Sequence, residues 1–383
     1  MLPPVDLVAS RHARLRSVLG GLNLDRLLVT SLPNIAWLTG FDGSAGAAVV
    51  GASVVQLIVD ARYLEEAHAI AVVLDPLVRV VPVARTYDET IAGALAESPS
   101  PVGFEAAHLT VARHLWFEAA LGASGWRGRL SPVSDAVETC RIVKDDWEIG
   151  LLREGAARLS AVTLGVLADL VPGLPEALVA QQVEAGLRRA GFSRAAFDTI
   201  VASGPRAALP HGRASDRIIG VGELVVLDLG GVYGGYCVDL TRTVALGSPG
   251  PEAESWFQAV ADAQAAAIDA VAPGRAPHEI DGAARKVLES RGLAGRFTHG
   301  TGHGLGLEVH EAPRIGPLRA APGRTPAAGF APMPEMLVSG MVFTIEPGVY
   351  LPGAGGVRIE DDVLVTESGV EVLTNVPRTL VIG

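Results

Sequence analysis

Two hydrophobic periods alternate along the chain. Apolar residues recur at helical spacing over residues 11–20 and close on glycine, which predicts a short helix. Residues 26–30 read as a leucine- and valine-rich strand. Residues 47–50 and 54–60 read as a hairpin around residues 51–53. A helix over 63–74 and a strand over 78–83 follow, while 122–132 reads as loop. Beyond it the elements lengthen. A helix is predicted over 146–171, stopped by Pro172-Gly173, and another over 175–190, ending at Gly191. Strands are expected at 199–203, 223–229 and 236–246. A helix over 252–271 stops at Pro273-Gly274, and one over 277–291 ends at Gly292. Strands are then expected over 341–351 and 357–366.

This order repeats. Helix, Pro-Gly stop, helix and glycine stop occur at 146–191 and again at 252–292. The run Gly222-Glu-Leu-Val-Val-Leu-Asp228-Leu-Gly230 also resembles Gly340-Met-Val-Phe-Thr-Ile-Glu346-Pro-Gly348. Each run precedes a further extended segment carrying an acid, Asp239 or Glu360. An internal duplication with two acids per half predicts a pseudo-two-fold site between the halves.

With 383 residues, the chain is long enough for two domains. The boundary is expected near 133–147, giving domains at 1–140 and 141–383 of a mixed α/β (α+β) protein. Apolar residues at 49% and charged residues at 19% exclude a disordered chain. A net charge of −11 without basic runs argues against nucleic-acid binding. Two cysteines, Cys140 and Cys237, cannot form a disulfide framework or a Cys-x-x-Cys zinc motif, and fit a reducing cytoplasm. Residues 1–19 carry Asp6, Arg11, Arg14 and Arg16 without a continuous apolar run, so they do not read as a signal peptide. The most apolar stretch, 47–59, is too short for a membrane span, so a cytoplasmic location is expected.

The chemistry concentrates in four acids set among strand signals. Asp228 interrupts Leu-Val-Val-Leu-Asp-Leu, on the same face as Leu224 and Val226. Asp239 lies in Tyr-Cys-Val-Asp-Leu-Thr-Arg, Glu346 ends Met-Val-Phe-Thr-Ile-Glu, and Glu360 follows Val-Arg-Ile. A buried carboxylate is costly unless it is paired or binds metal. Separate pairing with arginines such as Arg242 or Arg358 would satisfy one acid. Four acids in a duplicated pattern point instead to a shared metal site. Carboxylates and one histidine would balance two divalent cations, which together activate water and polarise a carbonyl. The histidine is expected to be His303, in the glycine-rich segment that also holds His299 and His310. His211 lies in a separate turn-like Pro-His-Gly.

These motifs resemble the pita-bread metallopeptidases, in the Xaa-Pro aminopeptidase and prolidase branch. The matching segments are Ser203-Gly-Pro…Leu209-Pro-His211-Gly, Asp228-Leu-Gly…Tyr236-Cys-Val-Asp239-Leu-Thr-Arg-Thr, His299-Gly-Thr-Gly-His303-Gly-Leu-Gly…Val-His310-Glu-Ala-Pro, Glu346-Pro-Gly-Val-Tyr and Gly356-Val-Arg358-Ile-Glu360-Asp-Asp. Asn34…Leu38-Thr-Gly-Phe and Asp60-Ala-Arg62-Tyr63 are similar to a creatinase-type N-terminal domain. Arg141-Ile-Val-Lys144…Glu148-Ile is similar to the usual entry into the catalytic domain.

The resemblance implies two divalent metal ions. Manganese suits carboxylate-rich ligation best, and cobalt or zinc fits the same ligands. It implies that Asp228 binds one metal with both oxygens, that Asp239 and Glu360 bridge the pair, and that His303 and Glu346 complete the shells. Glu346 would also shuttle the proton of a bridging hydroxide that attacks the carbonyl before proline. His211 and His310 would contact that carbonyl, and His299 would line the site. Arg358 would hold the substrate or the bridging acid, and Asp42 and Arg62 are candidate substrate contacts. Cys237 is expected as a small buried filler, and 316–336 as an extended loop. The implied activity is an Xaa-Pro aminopeptidase acting on proline-containing peptides, because no extra basic residue stands out to bind a free carboxylate. The alternatives are an Xaa-Pro dipeptidase and a non-catalytic peptide-binding module. The resemblance also implies a homodimer.

Overall fold

The computed structural model describes residues 1–318 and 329–382. Of the loop expected over 316–336, residues 319–328 lie outside the described residues. The chain divides into two compact units, Met1–Arg141 with Ala321–Met333, and Ile142–Ala320 with Pro334–Gly383.

The N-terminal unit runs α1 (Val5–Gly21), β1 (Arg26–Val29), α2 (Leu32–Thr39), β2 (Ala47–Val50), β3 (Val55–Val59), α3 (Leu64–Val73), β4 (Val78–Pro82), α4 (Tyr87–Ala96), β5 (Val102–Glu105), α5 (Val111–Ala123), β6 (Leu130–Val133) and α6 (Glu138–Arg141). Its sheet has the order β4-β3-β2-β1-β5-β6. The hairpin expected at 47–60 is β2–β3, antiparallel as predicted. The parallel pairs β3–β4 and β5–β6 are each joined through a helix, as parallel strands require. Leu28, Val49, Ile58, Leu95, Phe104 and Phe117 form its core. Residues 122–132 are less loop-like than their glycines suggested, because α5 continues to Ala123 and β6 starts at Leu130. Helix α1 also begins well before residue 11, with Asp6 in its first turn complementing the helix dipole.

One buried carboxylate organises this unit. Glu105 accepts from the backbone N–H of Thr30 at 2.6 Å and of Ser31 at 2.8 Å, and from Asn34 Nδ2 at 2.6 Å. The Arg141 guanidinium donates to Asn34 Oδ1 at 2.6 Å. The Asn34 motif therefore ties Arg141, at the end of α6, back to the sheet of this unit.

The C-terminal unit opens with α7 (Asp146–Asp169) and α8 (Glu176–Arg189). Asp145 caps α7 in a reciprocal box with Glu148. Strands β7 (Arg194–Ala195), β8 (Ile200–Ser203), β9 (Leu224–Tyr233) and β10 (Tyr236–Leu246) follow, then α9 (Pro251–Asp269) and α10 (Pro277–Ser290). The remaining strands are β11 (Gly302–Gly304), β12 (Glu311–Ile315), β13 (Val342–Ile345), β14 (Gly348–Leu351), β15 (Gly355–Arg358), β16 (Asp361–Val365), β17 (Val370–Val372) and β18 (Val381–Ile382). A helix pair followed by antiparallel strands thus occurs twice. One sheet has the order β18-β10-β9-β7, with β8 also on β9, and the other β12-β11-β13-β16-β17. Among the described residues, no helix is long and apolar enough to cross a membrane.

Each strand expected over 341–351 and 357–366 is in fact two. Pro347 has no N–H for a ladder, so β13 stops at Ile345 and β14 restarts at Gly348. The Glu360 N–H leaves its own sheet and donates to the Thr241 carbonyl at 3.1 Å, which separates β15 from β16. Both breaks fall at an acid of the duplicated pattern.

Helix α1 carries His12, which is fully buried, with Nε2 2.7 Å from the Leu38 carbonyl. Burial first, and then the charges of Arg16 and Arg11, pull its pKa from 6.5 to about 4. The unfolded chain binds this proton near 6.5 and the folded chain only near 4. Stability from His12 is therefore complete above pH 6.5 and is lost as pH falls towards 4, by roughly 3 kcal/mol. Thermal unfolding at pH 7 and pH 4.5 checks this: His12→Gln should lose less of its melting temperature on acidification than the parent. An equal loss in both proteins would show that His12 does not contribute.

Candidate metal centre and active site

The centre begins with the β9–β10 ladder. In its register Asp239 faces Gly230 and Thr241 faces Asp228. Facing residues and alternate residues share one side of a sheet, so Asp228 and Asp239 lie diagonally on the same face. Thr241 Oγ1 donates to Glu360 Oε2 at 2.5 Å, bringing the acid between β15 and β16 onto that face. The Glu346 N–H is held by the Thr301 carbonyl at 2.7 Å, just past the end of β13.

Glycine brings His303 in. A Cβ on Gly302 would fall on the Thr344 carbonyl oxygen, and one on Gly304 on the Ala312 carbonyl oxygen. Only glycine permits this close approach. His303 Nδ1 lies 3.1 Å from the Gly304 carbonyl. A carbonyl only accepts, so Nδ1 carries the proton and Nε2 is left with a free lone pair. Nε2 is 3.6 Å from Glu346 Oε1. Ligand atoms of Asp239, His303 and Glu360 all lie within 4.8 Å of one another.

Asp228, Asp239 and Glu360 are buried. Burial, with repulsion from Glu360 and Asp228, pushes the Asp239 carboxyl far above its usual range. Burial and the Glu346 charge do the same to Glu360. Glu346 itself is raised to about 7 by burial, with Arg358 opposing and Asp228 adding to the shift. Burial, then the neighbouring His310, lowers His303 to about 4, so its ring is neutral at pH 7.

Arg358 is the one guanidinium bonded to a carboxylate of these acids among the described residues. Its Nη2 lies 2.5 Å from Asp228 Oδ2, one of the two oxygens expected on the metal, and leaves only Oδ1 without a partner. It does not bond Asp239 or Glu360, the acids expected to bridge, and reaches Glu360 only through Thr241 Oγ1, 3.2 Å from Nε. Nη1 donates at 3.0 Å to the Pro210 carbonyl, beside His211, and to the Tyr350 hydroxyl. Tyr350 in turn lies 2.9 Å from His299 Nε2, while His299 Nδ1 lies 2.8 Å from the Gly300 carbonyl. The same donor logic gives Nδ1–H on His299 and makes Tyr350 the donor to Nε2. His299 is therefore committed on both nitrogens. Arg242, the other arginine considered for these acids, instead pairs with Asp361 at 2.6 Å.

After these bonds are made, Asp228 Oδ1 and Asp239 Oδ1 remain buried without any hydrogen-bond partner. A buried carboxylate oxygen without a donor is expensive. Asp239 and Glu360 converge with the unprotonated imidazole nitrogen of His303, and Asp228 lines the same cavity. That donor set fits hard or borderline divalent cations.

The centre floors a cavity of about 540 Å³. Asp228, Asp239, His303, Glu346, Arg358 and Glu360 line it, with His211, His299 and His310. The His303 and His310 rings meet nearly edge-on, 4.3 Å between centroids. Burial, then the Arg314 charge, lowers His310 from its ordinary value. Phe197, Ile200 and Pro210 add an apolar wall, and Asp198 and Arg213 also line the cavity. None of these five was singled out as a site residue from sequence. Arg213 stands two residues after His211, which was the only sequence signal for it. Cys237 is buried, and burial pushes its thiol up to about 12, as suits a filler.

Asp42 and Arg62 belong to the N-terminal unit. There Arg62 forks onto Asp60 at 2.8 and 3.0 Å, an exposed local ion pair. Asp42 lies against Glu66, whose carboxyl is raised by burial and by that neighbour.

Fold and site together define a metal-dependent hydrolase with a carboxylate-rich centre. Residues 150–367 match the metallopeptidase family M24, and residues 11–143 match the creatinase/prolidase N-terminal domain. The chain belongs to metallopeptidase family M24, and its C-terminal unit has the pita-bread fold. An Xaa-Pro dipeptidase from Pyrococcus furiosus is 40% identical over 248 residues, covering 65% of this chain and 67% of that protein. The solved structure of an Xaa-Pro dipeptidase from Bacillus anthracis superposes with a TM-score of 0.88 at 34% identity, covering 98% of this chain and all of that one. An X-Pro aminopeptidase from Thermotoga maritima gives 0.83 at 30% identity, covering 97% and 99%.

Metal should therefore stabilise the fold. Manganese added to chelator-stripped protein is expected to raise the melting temperature in a concentration-dependent way. Asp239→Asn should abolish the rise. A variant that responds like the parent would place the cation elsewhere.

Proposed function

We propose that the chain is a peptidase that cleaves the bond preceding proline, with two divalent cations held by Asp228, Asp239, His303, Glu346 and Glu360. The supporting observation is the pair of orphaned carboxylate oxygens, Asp228 Oδ1 and Asp239 Oδ1, facing a cavity with an apolar wall. The names of the relatives from Pyrococcus, Bacillus and Thermotoga agree with this substrate class. When bound, the cations supply Lewis acidity and lower the pKa of water. The chain supplies everything else.

Asp239 and Glu360, whose ligand atoms lie together with that of His303, would help to hold the cations. Asp228 is assigned to one, with its second oxygen fixed by Arg358. Glu346 Oε1 takes the proton released when the nucleophile forms and returns it to the leaving nitrogen. That nitrogen is proline's, and like any amide nitrogen it departs only after protonation. His310 is exposed on the cavity wall and neutral, able to donate one N–H to the developing oxyanion. His211 stands beside it, its turn pinned by the bond from Arg358 to the Pro210 carbonyl. Phe197, Ile200 and Pro210 supply the apolar surface that a pyrrolidine ring requires.

Hydrolysis by manganese-loaded protein tests the reading. An Xaa-Pro substrate should be cleaved and its Xaa-Ala counterpart cleaved poorly. His310→Gln should lower kcat by about 10²-fold. Phe197→Ala should act mainly through KM for the proline substrate. Equal cleavage of both substrates, or none by any loaded form, would overturn the assignment.

A further inference from the structure

His211 reaches the cavity from a loop, and a loop places a reacting group accurately only when something holds it. The ring is exposed on the cavity wall, so the backbone of residues 203–215 sets where it can reach. Within that span Gly204–Ala208 forms one short 3-10 helix, and the Gly212 N–H closes a turn on the Leu209 carbonyl at 3.0 Å.

Glu176, the first residue of α8, holds both ends of this loop and is fully buried. Its Oε1 accepts from the Ser203 N–H at 2.8 Å and the Ser203 hydroxyl at 2.7 Å. Its Oε2 accepts from the Ser215 hydroxyl at 2.7 Å, the Ser215 N–H at 3.2 Å and Arg206 Nε at 3.1 Å. One oxygen thus serves each end. Ser203 Oγ also accepts from Arg217 Nη1 at 2.6 Å. A guanidinium only donates, so the Ser203 hydroxyl must point its hydrogen at Glu176. Arg206 extends the hold, because its Nη2 donates at 2.5 Å to the carbonyl of Arg213, two residues past His211. A buried carboxylate that loses a donor is costly, so drift of either end is penalised.

The second half of the C-terminal unit repeats the device. Asp281 lies in α10, the second helix of the second pair, and is buried. Its Oδ1 accepts from the Thr301 N–H at 3.1 Å and the Thr301 hydroxyl at 2.8 Å. Arg285 donates to Asp281 Oδ2 at 2.7 Å and to the His299 carbonyl at 2.5 Å. In each half an acid of the second helix grips a hydroxyl residue and an arginine, and the arginine ends on the backbone beside a cavity histidine. Stability alone favours apolar packing over a buried charge. A shared need to place a ring accounts for the repetition.

We infer that Glu176 is a positioning residue for His211, fixing the loop so that the ring meets the scissile carbonyl. This rests on the peptidase reading above and adds what sets the accuracy of that contact.

The test uses the full manganese-loaded chain and an Xaa-Pro substrate, with Glu176→Gln and His211→Gln made singly and together. Glutamine keeps the shape but has one oxygen, so whichever way its amide turns, one end of the loop faces an NH2 group. Glu176→Gln should lower kcat by roughly 10- to 100-fold with little change in KM. In the His211→Gln background it should cost nothing further, because the ring it positions is gone. Backbone amides within 204–214 should exchange hydrogen faster, while the β9–β10 ladder stays protected. Ser215→Ala removes one donor and leaves the carboxylate bonded. It should show a smaller kcat loss with the same dependence on His211, and it decides the case if Glu176→Gln does not fold. Equal kcat losses with and without His211, a loss carried by KM, or no loss at all overturns the inference and leaves the peptidase reading standing. A parent that cleaves no Xaa-Pro substrate overturns both.

Discussion

The structure turns on carboxylates that fold into a place too poor in positive charge to hold them. Asp228, Asp239, Glu346 and Glu360 line one cavity, among the described residues only Asp228 has its carboxylate paired with a guanidinium, that of Arg358, and two of the acids' oxygens find no donor. A protein does not gain stability this way, because an uncompensated buried charge costs several kcal/mol. Such an arrangement persists where something else supplies the charge. In the proposed reading the acids are the reason for the cations, and the cations are what permit the acids.

The surrounding scaffold keeps these acids together despite their repulsion. Asp361, next to Glu360, accepts from Arg242 at 2.6 Å, Thr374 at 2.7 Å and Gln264 at 2.9 Å. Arg242 also donates to the Glu360 carbonyl at 2.6 Å, so β10 and β16 are clamped at the acid that must not drift. On the other side of the centre, Lys144 pairs with Glu311 at 2.7 Å, both side chains nearly inaccessible. Glu311 follows His310 directly, and the Lys144 N–H is bonded to the Gly340 carbonyl at 2.9 Å. Segments distant in sequence are therefore locked by buried pairs outside the centre, and the centre can remain electrostatically unsatisfied.

Much of this was legible in the sequence, for identifiable reasons. An acid inside an apolar strand breaks a two-residue period and stands out, as Asp228 and Glu346 do. Helix stops at Pro172-Gly173 and Pro273-Gly274 are local chemistry, so the helix pairs and their repetition could be read. The breaks at Glu346-Pro347 and Glu360 were missed because a strand's end depends on its partner, here the Thr241 carbonyl. Helix α2 was missed because a short apolar run has no resolvable period. The partner of Arg358 could not be read, since either Asp228 or a bridging acid suited its charge. Phe197, Ile200 and Arg213 were invisible for the same reason. An aromatic wall or an exposed arginine has no distinctive spacing, and it acquires meaning only from the cavity it borders.

Anomalous diffraction from manganese-loaded crystals would test the central claim most directly. The account predicts two peaks, both within bonding distance of the Asp239 and Glu360 carboxylates. One should also touch Asp228 Oδ1 and the other His303 Nε2, with Arg358 still on Asp228 Oδ2. No peak in this cluster, or Arg358 neutralising the acids with metal bound elsewhere, would contradict it.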